Sequence, residues 1–338
     1  MSVILFGGGL YVIIRGGDFL VDAALRLSGI SGISQVVIGA TFVSVATTLP
    51  EVFVSIFAVA AGNQGIAVGN AVGSMICNVA LVLALYIMFL PTRVNRRSIY
   101  GKSVYLFGVT FLVFLFTANL KIGWIEGAVL LASFLLFLFL NIKEVQEFPF
   151  ERRRSGDDVC KCTDNVTRGT RVTSDWVVES RRKVIVQIVL GFLAGQAMLI
   201  IGAFLLVDHG ERLAGLLGIS ETVVGLTAIA VGTSMPELIT CITSIRRKSG
   251  GLALGNVIGS NIISCTLLIG ICAVLGDLRG TFIVSRSTFL ISIPFLFLVY
   301  LIAIVPMLLR RRTSRWQGAA LLTLYVLYVG YLIITQPI

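Results

Sequence analysis

Residues 20–51 read LVDAALRLSGISGISQVVIGATFVSVATTLPE, and residues 206–237 read LVDHGERLAGLLGISETVVGLTAIAVGTSMPE. Laid over one another at an offset of 186 residues, they pair Asp22 with Asp208, Arg26 with Arg212, Thr41 with Thr227, Thr47 with Thr233, Pro50 with Pro236 and Glu51 with Glu237. The register runs on without a gap through GNAVGS (69–74) over GNVIGS (255–260), which sets Ser74 opposite Ser260. The chain is an internal duplication, and each copy carries a proline followed by a carboxylate inside an apolar run.

The surrounding composition says what solvent those runs meet. The 338 residues are 57% hydrophobic and 13% charged, with a mean hydropathy of +0.97, beyond the range of a soluble domain of this size. Apolar runs long enough for a hydrocarbon core of about 30 Å fall near 3–25, 36–61, 66–90, 103–120, 123–141, 184–207, 219–245, 251–275, 284–306 and 317–336. The expected fold is an all-α polytopic membrane protein with ten transmembrane helices. The first run lacks a basic leader and a small-residue cleavage site, so it reads as a span and not as a signal peptide. Five spans separate equivalent positions of the two copies. Five is odd, so the second copy enters the bilayer in the opposite sense. The expectation is two inverted five-helix repeats, residues 1–141 and 184–338, joined by a hydrophilic and flexible linker at 142–183.

Charge gives the orientation. With both termini outside, the segments facing the cytoplasm are those near Arg26 and at 92–102, 142–183, 246–250 and 308–316, and they hold 22 of the 27 Lys and Arg residues. This is the positive-inside bias, and it accounts for the net charge of +10 without nucleic acid. The predicted location is the plasma membrane, with the 142–183 loop cytoplasmic and the lipid bilayer as the partner of a monomer. Cys77, Cys241, Cys265 and Cys272 lie in spans as small packing residues, and Cys160 and Cys162 form an isolated C-x-C in the linker. A single histidine, His209, excludes a zinc hydrolase on ligand count and reads as a solvated residue at a span end. No nucleophile with a base is visible, so an intramembrane enzyme is not expected. Arg15, Asp18 and Asp22 share one face of the first span, with an Arg–Asp pair in reach.

The chemistry concentrates at VATTLPE (45–51) and VGTSMPE (231–237). Proline lacks an amide hydrogen, so Pro50 and Pro236 should loosen the helix at Ala46 and Gly232, and freed carbonyls survive at membrane depth only against protein or a hydrated cavity. Thr47, Thr48, Thr233 and Ser234 add hydroxyls beside them, and Glu51 and Glu237 add carboxylates. Carbonyls, hydroxyls and carboxylates together form a hard-oxygen set suited to Ca²⁺, Na⁺ or Mg²⁺. Glu51 sits about 22 Å into its span at 1.5 Å per residue, too deep to snorkel. An ionised carboxylate there costs roughly 2.5–3.5 kcal/mol on insertion scales and demands a counter-charge. A divalent cation between the two glutamates supplies one, and so would two protons. Ser74 and Asn78, like Ser260 and Ser264, stand four residues apart on one helix face, with Asn70 and Asn256 extending the stripe.

At these residues the chain resembles the calcium:cation antiporter superfamily, and the prokaryotic sodium/calcium exchanger family in particular. The likeness spans both copies, and VGTSMPE with GNVIGSNI matches better than VATTLPE with GNAVGSMI. The resemblance implies ions bound among the helices at 36–61, 66–90, 219–245 and 251–275, with those at 1–30 and 184–218 sliding across them. It implies Glu51 and Glu237 as the central Ca²⁺ ligands, helped by the carbonyls of Thr47 and Thr233. Ser44 and Ala230 would give backbone oxygens, and Thr48, Ser234, Ser74 and Ser260 would complete flanking sodium sites. The family's remaining ligand pair falls on Asn78 and Ser264, where an aspartate is usual in at least one position. Both are neutral here. That leaves two negative charges, enough for one Ca²⁺, two Na⁺ or two H⁺, while a third sodium would be uncompensated. The expected function is Ca²⁺/Na⁺ antiport by alternating access, electroneutral or with a weak third sodium, and with no cofactor. Ca²⁺/H⁺ antiport on the same two glutamates is the alternative.

Overall fold

A computed structural model describes residues 2–62, 64–94, 96–147, 174–216, 232–278 and 282–335. Helix α1 is Ser2–Ser31 and α2 is Gln35–Ala60, with a π-helical turn at Gly39–Val43. Helix α3 covers 64–89, with a π-helical turn at Asn78–Leu83; α4 is Arg96–Phe116 and α5 is Trp124–Glu147. Helix α6 is Ser174–Leu216 and α7 is Met235–Arg246. Helix α8 is Gly250–Asp277, with a π-helical turn at Ser264–Leu268, α9 is Thr288–Arg310 and α10 is Arg315–Thr335. Eight of these, all but α7 and α10, are long and apolar enough to cross a membrane among the described residues. Two short strands, β1 (Lys121–Ile122) and β2 (Phe282–Ile283), pair antiparallel and tie the α4–α5 turn to the segment before α9.

Burial separates a centre from a flank. The apolar span of α8 is 83% buried and that of α3 72%, against 17% for α6 and 28% for α1, so α8 and α3 lie at the core while α1 and α6 face lipid. Close approach requires glycine at the centre: a Cβ on Gly259 of α8 would stand 2.6 Å from both Ala40 O and Ser44 Oγ of α2. On the flank α1 and α6 pack along one another, with Gly16 against Gly195 and Leu199.

The flank is also tied to the core by charge. Asp18 and Asp22 of α1 meet Arg246 at 3.4 Å and Arg247 at 2.8 Å, at the C-terminal end of α7. The Arg15 pairing expected on α1 itself is therefore replaced by an interhelix contact, and Arg15 lies over the Tyr11 ring instead. His209 is buried, not solvated, with Nδ1 3.5 Å from Asp208 Oδ2, because α6 continues beyond it to Leu216 and does not end there. The linker expected at 142–183 is helical at both ends, since α5 runs to Glu147 and α6 starts at Ser174. The rest of the linker, with Cys160 and Cys162, lies outside the described residues.

Candidate ion-binding site

Helices α2, α3, α7 and α8 come together around a set of buried polar side chains. Glu51 and Glu237 are each 0% exposed, although neither stands beside a basic residue in any ion pair among the described residues. Lys102, the buried lysine of α4, is taken by Glu144.

Glu51 is held from the other copy. Ser234 Oγ donates to its Oε1 at 3.2 Å and Ser264 Oγ to its Oε2 at 3.4 Å. Glu237 differs, because neither of its carboxylate oxygens has a hydrogen-bond partner among the described residues. Elsewhere on these helices Thr48 Oγ1, Ser260 Oγ and both polar atoms of Asn78 are likewise buried and without a hydrogen-bond partner among the described residues. Each such group costs about 1–3 kcal/mol when it exchanges water for nothing. All of these except the Asn78 amide nitrogen are oxygens, which is the donor chemistry a hard cation takes.

Two further contacts join the copies. Thr47 Oγ1 donates to Asn256 Oδ1 at 3.3 Å, and Thr233 Oγ1 donates to Asn70 Oδ1 at 3.1 Å. These are one contact made twice, since Thr47 and Thr233, and Asn70 and Asn256, are equivalent at the offset of 186. Asn70 also donates to Ser55 Oγ at 3.0 Å and to Glu51 O at 3.4 Å, which fixes the backbone beside the carboxylate. Sequence reasoning placed Asn70 and Asn256 on the polar stripe without this partnership and passed over Ser55, which sits one turn beyond Glu51. The i, i+4 spacing of Glu51 and Ser55 was the available signal.

The remaining candidates fall as follows. Ser44 is buried; its carbonyl accepts from Thr47 Oγ1 at 3.4 Å and its hydroxyl donates to Thr41 O at 3.2 Å. Ser74 is buried with its hydroxyl donated to Ala71 O at 3.1 Å. Asn78 and Ser264 each open a π-helical turn, of α3 and α8 respectively. Such turns widen the helix by one residue and recur at functional sites. Ala230 lies outside the described residues, as does the stretch preceding Gly232. The two prolines act differently from one another. Helix α2 continues through Pro50, and its irregular turn lies upstream at Gly39–Val43, because a proline φ is compatible with a helix that gives up one amide bond. Pro236 stands in the first turn of α7, after a non-helical Ser234 at φ −90 and ψ 4, where its missing amide hydrogen costs nothing. No cluster of three or more His, Cys, Asp or Glu side chains occurs among the described residues, so the oxygens here come from two carboxylates, hydroxyls and amides.

Apolar helices around a polar centre with two enclosed carboxylates define an all-helical polytopic membrane protein built to handle small cations. The family described as "Sodium/calcium exchanger protein" matches residues 1–143 and 187–334. The sodium/calcium exchanger MaX1 of Methanosarcina acetivorans is 30% identical over 344 residues, covering 95% of each chain. The uncharacterized membrane protein MJ0091 of Methanocaldococcus jannaschii is 31% identical over 324 residues, covering 96% of this chain and 95% of its own. A solved structure of the sodium-calcium exchanger NCX_Mj aligns with a TM-score of 0.78 at 30% identity, covering 98% of both chains. The chain belongs to the sodium/calcium exchanger family, and it is a membrane antiporter of cations, not an enzyme.

Proposed function

We propose that the protein exchanges Ca²⁺ for Na⁺ across the plasma membrane by alternating access, with Glu51 and Glu237 as the shared ligands of the transported ion. The observation that carries this is the pair of fully buried carboxylates, one anchored by Ser234 and Ser264 and the other with both oxygens unpartnered among the described residues. A dehydrated cation between them offsets the desolvation of both. Thr48, Ser74, Ser260, Asn78 and Ser264 line flanking positions, and the carbonyls of Ser44, Thr47, Thr233 and Ala230 complete the oxygen set. Two inverted five-helix repeats, 1–141 and 184–338, hold the site at their junction. The doubled Thr–Asn contact between the copies supports that symmetry. Both termini face outward and the loop between the repeats is cytoplasmic. The flank of α1 and α6 slides across the core, in a monomer.

Coupling follows from charge. An empty site holding two ionised carboxylates is too costly to pass through a closed intermediate, so one cargo must replace another. With Asn78 and Ser264 neutral, two negative charges balance one Ca²⁺ against two Na⁺, and exchange is electroneutral. The same neutrality favours a second reading, Ca²⁺ against two H⁺. Reconstitution in liposomes with Ca²⁺ flux measured under separate sodium and pH gradients distinguishes them. Internal Na⁺ driving Ca²⁺ uptake with no current carries the first reading, a response to pH alone carries the second, and flux that needs no counter-gradient contradicts both.

A further inference from the structure

Two loop segments, LPTRVNRR (90–97) and LLRRRTSRW (308–316), lie far apart in the chain and carry basic residues with no acidic neighbour in sequence. In the fold they are clasped together. Arg93 and Arg312 form an antiparallel bridge, Val94 N donates to Arg311 O at 2.9 Å, and Thr313 N donates to Thr92 O at 3.1 Å. Thr92 N donates in turn to Thr313 Oγ1 at 2.9 Å, and Val94 and Thr313 are buried beneath the clasp. Arg311 closes α9 in the left-handed region at φ 53, a conformation unfavourable for a side chain of its size. The backbone therefore fixes four arginines, Arg93, Arg310, Arg311 and Arg312, around one cleft of ≈ 530 Å³. None of the four is in an ion pair among the described residues.

Four like charges gathered by main-chain pairing repel one another, and the C-terminal end of α9 offsets only part of that repulsion. An anion relieves it. Guanidinium forks match the oxygens of a phosphate, which accepts paired hydrogen bonds from them. The surroundings select the form of phosphate. Large apolar side chains stand exposed at the same ends of the helices: Phe89 at 68%, Leu309 at 74% and Trp316 at 85%. A bare phosphate ion gains nothing from these exposed apolar side chains, whereas a phospholipid offers acyl chains to them and a headgroup to the arginines. Tryptophan beside basic residues also marks the level of lipid headgroups.

We infer that the clasp between 92–94 and 311–313 is a binding site for an anionic phospholipid, held through its phosphodiester by Arg93, Arg310, Arg311 and Arg312. It occupies the leaflet that the basic loops assign to the cytoplasm, where anionic lipid attracts such residues. The site is distinct from the ion-binding centre and does not depend on which counter-ion is exchanged.

The test uses the full chain in zwitterionic detergent, titrated with phosphatidylglycerol or phosphatidylcholine and read by native mass spectrometry for retained lipid. The parent should retain one phosphatidylglycerol at least about tenfold more tightly than phosphatidylcholine, and each arginine removed should weaken it about fivefold. The triple variant Arg93→Gln/Arg311→Gln/Arg312→Gln should lose roughly a hundredfold, while Lys121→Gln, at the opposite membrane face, should bind as the parent does. Should the triple variant fail to fold, the single Arg312→Gln variant with its fivefold loss decides the matter. Equal retention by the triple variant and the parent overturns the inference. So does displacement of the lipid by inorganic phosphate at equal concentration, which would make the cleft a site for the free ion.

Discussion

Glu51 and Glu237 occupy equivalent positions of a duplicated sequence, yet one is anchored and the other is not. Glu51 lies inside a helix that continues past its proline, and it accepts two hydroxyl hydrogen bonds from the second copy. Glu237 lies in the first turn of α7, just beyond a break at Ser234, and accepts none among the described residues. The break itself creates the asymmetry, because it gives Ser234 a non-helical backbone from which its hydroxyl reaches Glu51. The equivalent Thr48 sits within continuous helix and has no hydrogen-bond partner among the described residues. The residue equivalent to Ser264, which donates to Glu51, is Asn78, whose amide group has no hydrogen-bond partner among the described residues. A duplicated motif thus yields one carboxylate held by hydroxyls and one without a hydrogen-bond partner among the described residues.

The strongest way to break this comparison is to neutralise each acid in turn. Either Glu51→Gln or Glu237→Gln should reduce Ca²⁺ flux in liposomes by about 100-fold or more, since removing one member of a buried charge set costs about 3–5 kcal/mol. Stability of the ion-free protein should then separate the two. Glu237→Gln replaces a carboxyl with no hydrogen-bond partner among the described residues by a neutral amide and should leave the unfolding free energy within about 1 kcal/mol of the parent. Glu51→Gln disturbs two hydroxyl hydrogen bonds and should lower it by about 1–3 kcal/mol. Denaturation in ion-free detergent checks both, and equal effects would erase the distinction between the acids.

A smaller effect is expected where α8 meets α2. Gly259→Ala places a methyl group against Ala40 O and Ser44 Oγ, so overpacking should cost about 1–3 kcal/mol and slow transport, as thermal denaturation and flux would reveal. Asn78→Asp sharpens the comparison from the other side by adding a third negative charge. If two charges set the stoichiometry, that variant should admit a further sodium and convert an electroneutral exchange into one that carries current across a voltage-clamped bilayer. The smallest effect is expected at the doubled contact. Thr47→Ala and Thr233→Ala each remove one neutral hydrogen bond to an asparagine, worth about 1 kcal/mol, and matched losses in stability would mark the two contacts as equivalent.

Much of this arrangement was legible in the sequence, since the offset of 186 and the apolar runs depend on spacing and hydrophobicity alone. The buried polar set was legible too, because polar residues inside apolar runs are costly and stand out. What escaped depended on partners distant in the chain. Asp18 and Asp22 find Arg246 and Arg247 across a helix interface, so their pattern on α1 pointed only to a local pairing. The π-helical turns at Asn78 and Ser264 carry no residue signature of their own. Pro50 and Pro236 look identical in sequence, and the difference arises from whether the helix continues into the proline or begins at it. His209 read as a span end because hydropathy falls there, although the helix goes on.

The central claim is that both acids hold a single cation together, and a double-mutant cycle on Ca²⁺ binding tests it most directly. Isothermal titration of the parent, Glu51→Gln, Glu237→Gln and the double variant should give single losses of about 100-fold or more, with the double variant little weaker than either single one, because ligands of one ion act as a unit. Losses that simply multiply in the double variant, or a single variant that binds Ca²⁺ as the parent does, would contradict the account.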